Sequence, residues 1–420
     1  MNAFKKSKPA ILGGNPFPSN TWPRWPFVSE EDIRRVTDVL KSGNWCRALF
    51  APDSEESMTV RFEQGFARMH QAKYAVACAN GTAAIEIALR AAGVQPGDEV
   101  IVPAYSFVAS ATAVLQIGGL PVFADIERDT YCLDPASAER YITANTRAIV
   151  VVHMAGRPAN MDAIGELAKK YNLVIVEDSA QAHMAEWQRR RVGAIGDVGT
   201  FSFQNSKNMT SGEGGIIITD NPDIAEMSYS LQHIGRKKGR PFYEHHYACW
   251  NYRLTEIQAA ILIGQMDRAE EQNRKRQENA KYLKQLMASI KGLEMLPDDP
   301  RVTNHGYHLY MFRVDREQFG LDRDTLVKAL AAEGVPYFGG YPIPLYKNPL
   351  FQEKNFGVNG FIEGKTIDYR STHCPVVEQL CPVTMGFAQN VLLGTKENLE
   401  MLVETVLRIQ KHAYEIAKTV

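Results

Sequence analysis

The sequence predicts an α/β fold: a large unit built on a mainly parallel sheet, followed by a smaller α+β unit. Between about residues 74 and 220, short apolar runs alternate with stretches of helical periodicity. Most of these runs are rich in Val and Ile and continuously apolar, which is typical of strands buried on both faces of a parallel sheet. A long helical pattern follows, and after it the strand and helix patterns change to those of an α+β unit, which indicates a second unit.

Length and composition agree with this class. The chain has 420 residues, enough for two or three domains. Its 47 Lys and Arg against 48 Asp and Glu disfavour a nucleic-acid partner, which usually requires a basic excess. No apolar run approaches the roughly 18 residues of a membrane span, and the N-terminus lacks the apolar core of a signal peptide. Six scattered cysteines without a CxxC pair indicate reduced thiols, so a cytoplasmic protein is expected; no metal site is predicted.

The first elements follow in order along the chain. Residues 1–28 have no periodicity and are expected to form an extended lead-in. Ser29 opens a helix, because Asp32 completes a capping box ahead of an apolar stripe. Strands are predicted at Tyr74–Cys78, Glu99–Val102, Pro121–Ala124, Ala148–His153, Leu173–Val176, Thr200–Phe203 and Ile216–Thr219. Helices are predicted between strands at Ala83–Ala92, Ser106–Gln116 and Asn160–Lys170.

The C-terminal part begins with a helical pattern that is too long for one unit, from about Thr255 to Ile290. Behind it, Tyr307–Val314 alternates like a half-exposed strand, Arg323–Glu333 has helical spacing, and Thr395–Ala417 is expected to be one closing amphipathic helix. The predicted division is a lead-in over 1–28, a large α/β domain over 29–274 and a small α+β domain over 275–420.

Three short motifs follow predicted strands, at the edge where open α/β sheets bind their ligands. The first, Asn80-Gly81-Thr82, precedes a helix whose free N–H groups and partial positive charge suit a phosphate. Taken alone, it is more simply an ordinary capped turn. The second, residues 176–183, places Asp178 at the end of an apolar strand. A protonated ring nitrogen would offset the cost of burying that carboxylate, and a helix N-cap explains it equally well.

The third motif, residues 200–215, carries Lys207 in a loop that closes with a Gly-rich turn. A lysine beside a cofactor can act as an amine nucleophile, although most loop lysines are simply solvated. The combination is more specific than its parts. A phosphate cradle, an acid and a lysine in this order, with Lys207 29 positions after Asp178, predict a pyridoxal-phosphate site.

The chain resembles the DegT/DnrJ/StrS family of sugar aminotransferases, which are fold type I pyridoxal-phosphate enzymes. The matching stretches are ANGTAAIEIAL (79–89), VIVPAYSF (100–107), VEDSAQAH (176–183), FSFQNSKNMTSGEGG (201–215) and NYRLTEIQAAI (251–261). The lysine motif and VHMAG (152–156) are similar to those of glutamine:scyllo-inosose-type aminotransferases and 3-amino-5-hydroxybenzoate synthases. The resemblance implies a pyridoxal 5′-phosphate-dependent aminotransferase that moves an amino group from glutamine or glutamate to a keto-cyclitol or keto-sugar.

The resemblance also implies roles for single residues. Lys207 matches the Schiff-base lysine and Asp178 the partner of the pyridine nitrogen. Asn251 matches a phosphate contact that comes from the neighbouring subunit, which implies a homodimer with shared active sites. The other implied cofactor contacts are Gly81, Thr82, Phe107, Gln181 and Ser202. The implied substrate contacts are His183, Tyr341, Tyr346 and Gln389, and a merely structural role is equally open for His183. Tyr346 and Gln389 stand where relatives often carry His.

Two other functions remain open on the sequence. One is an aromatising dehydratase of the aminohydroxybenzoate synthase type, which would use the same lysine to eliminate water. The other is a non-catalytic partner or regulator that keeps the fold. The intact set of Lys207, Asp178 and Gln181 argues against the second.

Overall fold

The computed structural model describes residues 8–18, 21–357 and 367–419. Residues 1–7 and 19–20 of the expected lead-in, and residues 358–366 and 420 of the expected small domain, lie outside this part of the chain. The described strands are β1 Tyr74–Cys78, β2 Glu99–Pro103, β3 Leu120–Ala124, β4 Thr146–Val152, β5 Val174–Asp178, β6 Glu186–Trp187, β7 Arg190–Arg191, β8 Val198–Ser202, β9 Gly215–Thr219, β10 Leu293–Met295, β11 Val302–Asn304, β12 Leu309–Val314, β13 Tyr337–Phe338 and β14 Thr384–Ala388.

The described helices flank these strands. They are α1 Glu30–Ser42, α2 Met58–Met69, α3 Gly81–Ala91, α4 Ala109–Gln116, α5 Pro135–Arg140, α6 Met161–Tyr171, α7 Pro222–Gln232, α8 Glu256–Met287, α9 Arg316–Phe319, α10 Arg323–Ala332, α11 Pro349–Gln352, α12 Pro375–Leu380, α13 Lys396–Lys411 and α14 Ala413–Thr419. The capping box predicted at Ser29 and Asp32 is present at the start of α1. Within the described residues, no helix combines the length and the apolar character needed to cross a bilayer.

A seven-stranded sheet in the order β1-β9-β8-β5-β4-β2-β3 forms the centre of the larger part. Neighbouring strands from β8 to β3 pair in parallel, whereas β9 is antiparallel to both of its neighbours. The mainly parallel α/β sheet predicted from the apolar runs is confirmed. Two strand bounds differ from those predicted. In the ladder between β5 and β8, Val176 pairs with Val198 and Asp178 pairs with Thr200. Strand β5 therefore continues to Asp178, and β8 begins before Thr200.

The helix α8 connects two hydrophobic clusters. A capping box between Thr255 and Gln258 starts it. Near its beginning, Leu262 packs in a cluster with Phe62 and Phe66. Near its end, Leu283 packs in a second cluster with the closing helix α13. The predicted domain division after residue 274 falls inside this helix and stays a prediction.

The second sheet has the order β10-β12-β14-β13 and is antiparallel throughout. The expectation of a half-exposed strand over Tyr307–Val314 is wrong, because every residue of β12 is buried. Leu309 and Met311 pack into the core beneath the large sheet, while Tyr310 and Phe312 pack into the C-terminal core. The alternation predicted from the sequence is real, but both faces of the strand meet apolar partners.

The closing segment is two helices rather than the single one expected over Thr395–Ala417. The first, α13, ends at Lys411, and α14 begins at Ala413. His412 ends the first helix because its backbone, with φ −103° and ψ 15°, departs from helical values. Its ring Nδ1 lies 3.0 Å from the Arg408 carbonyl oxygen. The remaining strands, β11, β6 and β7, form a small separate sheet.

Candidate active site

A cleft of about 1100 Å³ opens where β5 and β8 end and the second sheet faces them. The carboxyl ends of parallel strands are where α/β sheets bind ligands. The cleft brings together most of the residues that the sequence singled out. Those that line it are Gly81, Thr82, Phe107, Asp178, Gln181, Ser202, Lys207, Tyr341 and Gln389.

The N-terminus of α3 forms one end of the cleft. Asn80 caps this helix by accepting a hydrogen bond from the Ala83 N–H at 2.9 Å. The N–H groups of Gly81 and Thr82 belong to the first turn, which leaves them without a partner inside the helix. A Cβ on Gly81 would lie 2.7 Å from the Cβ of Ser202, so only glycine lets the helix approach β8 this closely. The two free N–H groups and the nearby Ser202 hydroxyl suit an anion such as a phosphate.

Asp178 is the last residue of β5 and is buried. The Ser110 hydroxyl donates to its Oδ2 at 2.7 Å, and the Ala180 N–H donates to its Oδ1 at 3.2 Å. Ser110 is itself hydrogen-bonded to Ser106 at 2.8 Å. The carboxylate is therefore held in one orientation at the cleft wall, where it can pair with a protonated nitrogen of a bound ring.

Lys207 lies in the loop between β8 and β9, in the wall of the same cleft. Its backbone N–H donates to the Gln204 carbonyl at 2.9 Å, which fixes the loop. Burial lowers the pKa of its ammonium group to about 8, against the smaller opposing effect of the Asp178 charge. Near neutral pH, a much larger fraction of Lys207 is consequently in the neutral amine form than for a solvated lysine.

Two further side chains, Gln181 and Phe107, line the same cleft. Gln181 accepts from the Ala155 N–H at 2.9 Å through Oε1, and its Nε2 donates to the Tyr341 hydroxyl at 3.4 Å. Phe107 is 58% exposed and lies in the cleft wall, so one face of its ring is free to stack on a flat ligand. With the anion site and the acid, these groups suit a planar, phosphorylated ring that carries a protonated nitrogen.

Tyr346, expected to contact substrate, does not reach the cleft. Its side chain is 1% exposed and packs near Phe123, with ring centroids 6.2 Å apart. Its hydroxyl donates to Glu378 and accepts from the Cys374 N–H. The expectation is corrected because the chain turns Tyr346 into the core just after Tyr341, and Tyr341 alone of the two lines the cleft.

His183 and Asn251 also lie outside this chain's cleft. His183 is buried, with its ring centroid 5.5 Å from those of both Phe201 and Phe203, and neither ring nitrogen has a partner within the described residues. Burial lowers the pKa of its imidazole well below the usual value, so the ring is neutral and packs as part of an apolar cluster. Asn251 is exposed just ahead of α8, and its expected role toward a second subunit stays a prediction.

Several residues in or behind the cleft were not predicted as site residues from the sequence. His308 lies just before β12, lines the cleft and has its Nδ1 3.2 Å from the Asn208 Oδ1. Trp25 of the lead-in also lines it, and its indole N–H donates to the Asn205 carbonyl at 3.2 Å. Ser110, which holds Asp178, lies 68 positions before it. Only the contact between distant segments identifies these residues, since a single Ser, His or Trp has no characteristic spacing.

Comparisons with known proteins agree with this geometry. Residues 26–385 match the DegT/DnrJ/EryC1/StrS aminotransferase family. The chain is 37% identical over 425 residues to a Micromonospora echinospora protein named, by inference, as an L-glutamine:3-amino-2,3-dideoxy-scyllo-inosose aminotransferase, with 98% of this chain and 99% of the relative covered. It is also 37% identical over 426 residues to the L-glutamine:2-deoxy-scyllo-inosose aminotransferase of Streptoalloteichus tenebrarius, with 97% and 98% covered.

Among solved structures, the fold is similar to that of 3-amino-5-hydroxybenzoic acid synthase. The TM-score is 0.83 at 32% sequence identity, and the match covers 94% of this chain and 99% of that chain. The fold class expected from the sequence is confirmed.

Proposed function

Since the chain belongs to the DegT/DnrJ/EryC1/StrS aminotransferase family, we propose that it transfers an amino group from glutamine to a polyhydroxylated cyclic ketone of the scyllo-inosose type, with pyridoxal 5′-phosphate as cofactor. One observation carries the proposal: Asp178, Lys207 and the N-terminus of α3 surround a single cleft. The names of the two full-length relatives support glutamine as the donor and a cyclitol ketone as the acceptor.

Each part of the cleft has a task in holding the cofactor. The first-turn N–H groups of α3 and the Ser202 hydroxyl hold the phosphate. Asp178 would keep the ring nitrogen protonated, and the exposed Phe107 ring would be available to stack on the ring of the cofactor. When bound, pyridoxal phosphate supplies an electron sink for the carbon that loses a proton.

Lys207 supplies the amine that attaches the cofactor and the base that moves the proton. A general acid–base group works best when its pKa lies near the working pH. Because burial brings the pKa of Lys207 to about 8, the same amine can take a proton from the substrate carbon and return it. Tyr341 and Gln389, on the side of the second sheet, are placed to contact the hydroxyl groups of the ring ketone.

The active protein is proposed to be a homodimer in the cytoplasm. Two large apolar side chains near the start of α8 are exposed to solvent. Trp250 is 66% exposed and Trp45 is 50% exposed. The Glu256 N–H donates to the Trp45 carbonyl at 3.0 Å, so these segments adjoin Asn251. Large aromatic side chains are enriched at subunit interfaces relative to the rest of a protein surface. All six cysteines are free thiols, which suits a reducing compartment.

Assaying the purified holoenzyme with glutamine and a panel of cyclic ketones tests the proposal. We expect 2-deoxy-scyllo-inosose or a close analogue to be aminated, with glutamine consumed in equal amount. The similarity to 3-amino-5-hydroxybenzoic acid synthase makes an aromatising dehydratase the second candidate. A product that absorbs in the aromatic ultraviolet, formed without a change in glutamine, would favour that activity. If only nucleotide-linked keto-sugars are aminated, the proposed aminotransferase activity stands and the proposed cyclitol acceptor is wrong.

A further inference from the structure

Arg276 is a buried cation behind the wall of the cleft. It lies on α8 and is 1% exposed. Within the described residues, no carboxylate lies within ion-pairing distance of its guanidinium group. Burial lowers the pKa of Arg276 to about 9, so the group stays charged at neutral pH. A charge buried without a counter-ion is costly, which makes the neutral groups that do contact it significant.

The hydrogen bonds of Arg276 converge on one atom of the cleft wall. Its Nε and Nη2 both donate to the Gln389 Oε1, at 3.0 and 2.6 Å. Its guanidinium carbon lies 5.5 Å from the centroid of the Trp25 ring. The group that faces Arg276 is the amide oxygen, because a guanidinium has only N–H groups and can face only an acceptor.

The opposite end of the Gln389 amide is therefore its NH₂ group. Gln389 directly follows β14 and lines the cleft. No described residue accepts a hydrogen bond from its Nε2. The two bonds from Arg276 occupy both lone pairs of Oε1. At this point the wall can offer a ligand two donors and no acceptor.

We infer that Arg276 is a positioning residue that holds the Gln389 NH₂ toward the cleft, so that the ring group of the substrate facing Gln389 must be a hydrogen-bond acceptor. The inference rests on the proposed function. A hydroxyl, ether or carbonyl oxygen satisfies the NH₂ group. A deoxy position leaves it unsatisfied, and an ammonium group opposes it with further donors. Arg276 thereby selects among ring substituents without touching them.

Substituted cyclic ketones offered to variants of Gln389 and Arg276 test this role. The probes are 2-deoxy-scyllo-inosose and analogues with a methoxy group, a hydrogen or an amino group in place of one ring hydroxyl at a time. In the wild type we expect one ring position at which hydroxyl and methoxy are accepted, while hydrogen or amino lowers kcat/KM at least about tenfold. In Gln389→Glu the carboxylate still pairs with Arg276 but presents an acceptor, so the amino analogue should become the better substrate at that position.

Two further variants separate positioning from a merely structural role. In Arg276→Met the amide is free to rotate, so we expect the preference at that position to fall to within about threefold. Arg276→Lys keeps a cationic donor, so it should retain part of the preference that Arg276→Met loses. Gln277→Glu, on the same helix and not lining the cleft, is the control for added charge and should keep the wild-type preference.

The outcomes distinguish this inference from the proposed function. Suppose that the ketones are aminated but that Gln389→Glu does not invert the substituent preference at any ring position. This result overturns the positioning role and leaves the aminotransferase proposal standing. An equal loss of kcat on every ketone in Arg276→Met, with unchanged preferences, also overturns it. If no cyclic ketone is aminated by the wild type, the proposed substrate class and the inference both fall.

Discussion

Asp178 is held at the cleft wall by hydrogen bonds to both of its carboxylate oxygens. A serine hydroxyl and a backbone N–H each hold one of its oxygens. Lys207, in contrast, has no hydrogen bond from its amine to any described residue, and burial determines its pKa. This difference in hydrogen bonding suits the proposed tasks, a fixed partner for a ring nitrogen and an amine that attacks the cofactor.

Replacing Asp178 tests the proposed pairing with the ring nitrogen. We expect Asp178→Asn to bind the cofactor but to lose about two orders of magnitude in kcat, because an amide cannot keep that nitrogen protonated. Cofactor absorbance and steady-state rates give the two quantities. Ser110→Ala, which removes only the hydroxyl donor, should lose much less. A folded Asp178→Asn protein with nearly wild-type turnover would exclude this role.

Lys207 gives a pH dependence with a definite sign. The neutral amine is the form that attaches the cofactor, and the pKa of about 8 lies below that of a solvated lysine. The rate at which the apoenzyme takes up pyridoxal phosphate should therefore rise about tenfold per pH unit below pH 8 and level off above it. Borohydride reduction and peptide mapping should place the label on Lys207. A label on another lysine, or a rate independent of pH from 6.5 to 9, contradicts the assignment.

At the scale of elements, the contact between the start of α3 and the end of β8 builds the anion site. Gly81 and Ser202 meet there with no space for a side-chain carbon on the glycine. The N-cap at Asn80 keeps the first-turn N–H groups aligned. The geometry of the anion site thus depends on two elements packing closely, and no single residue provides it.

A pair of glycine substitutions tests this contact. Gly81→Ala should push α3 away from β8, weaken cofactor binding and cost about 1–3 kcal/mol in the free energy of unfolding. Gly165→Ala on α6 is the matched control, since a Cβ there meets no atom within 4 Å. It should be neutral or stabilise by up to about 1 kcal/mol. Cofactor titration and denaturant unfolding measure both effects. Equal behaviour of the two variants would show that the close approach is unimportant.

At the scale of the whole molecule, the site is formed from segments that are far apart in the chain. Trp25 comes from the lead-in, Lys207 from the large sheet, and Gln389 from the second sheet. Asn251 lies outside this assembly and is exposed. Its side chain is proposed to contact the cleft of a second subunit.

Mixing two inactive variants tests whether sites are shared between subunits. We expect Lys207→Ala and Asn251→Ala to be weakly active or inactive alone. If Asn251 serves the partner's cleft, subunits unfolded and refolded together should recover up to about a quarter of wild-type activity, because half of the dimers are mixed and each has one intact site. Refolding each variant alone provides the baseline. No recovery in a mixture that forms mixed dimers would assign Asn251 to its own chain.

The fold class follows from the amino-acid sequence, and the cofactor-binding site is a prediction from three short motifs. Continuous apolar runs predicted the mainly parallel sheet, because a strand covered on both faces has no polar side to reveal. Asp178, Lys207 and Gly81 are predicted as site residues because each lies at or after the end of a strand within a short motif. Such signals are local, since strand ends and glycine turns are determined by residues next to one another.

Which other side chains meet at the cleft depends on how distant segments pack in the folded chain. Tyr341 and Tyr346 are five positions apart, and the path of the chain places the first in the cleft and the second in the core. Both faces of β12 are buried because two separate cores lie against it. The pairing of Arg276 with Gln389 spans 113 positions. No periodicity encodes such contacts, because they arise from how whole elements pack together.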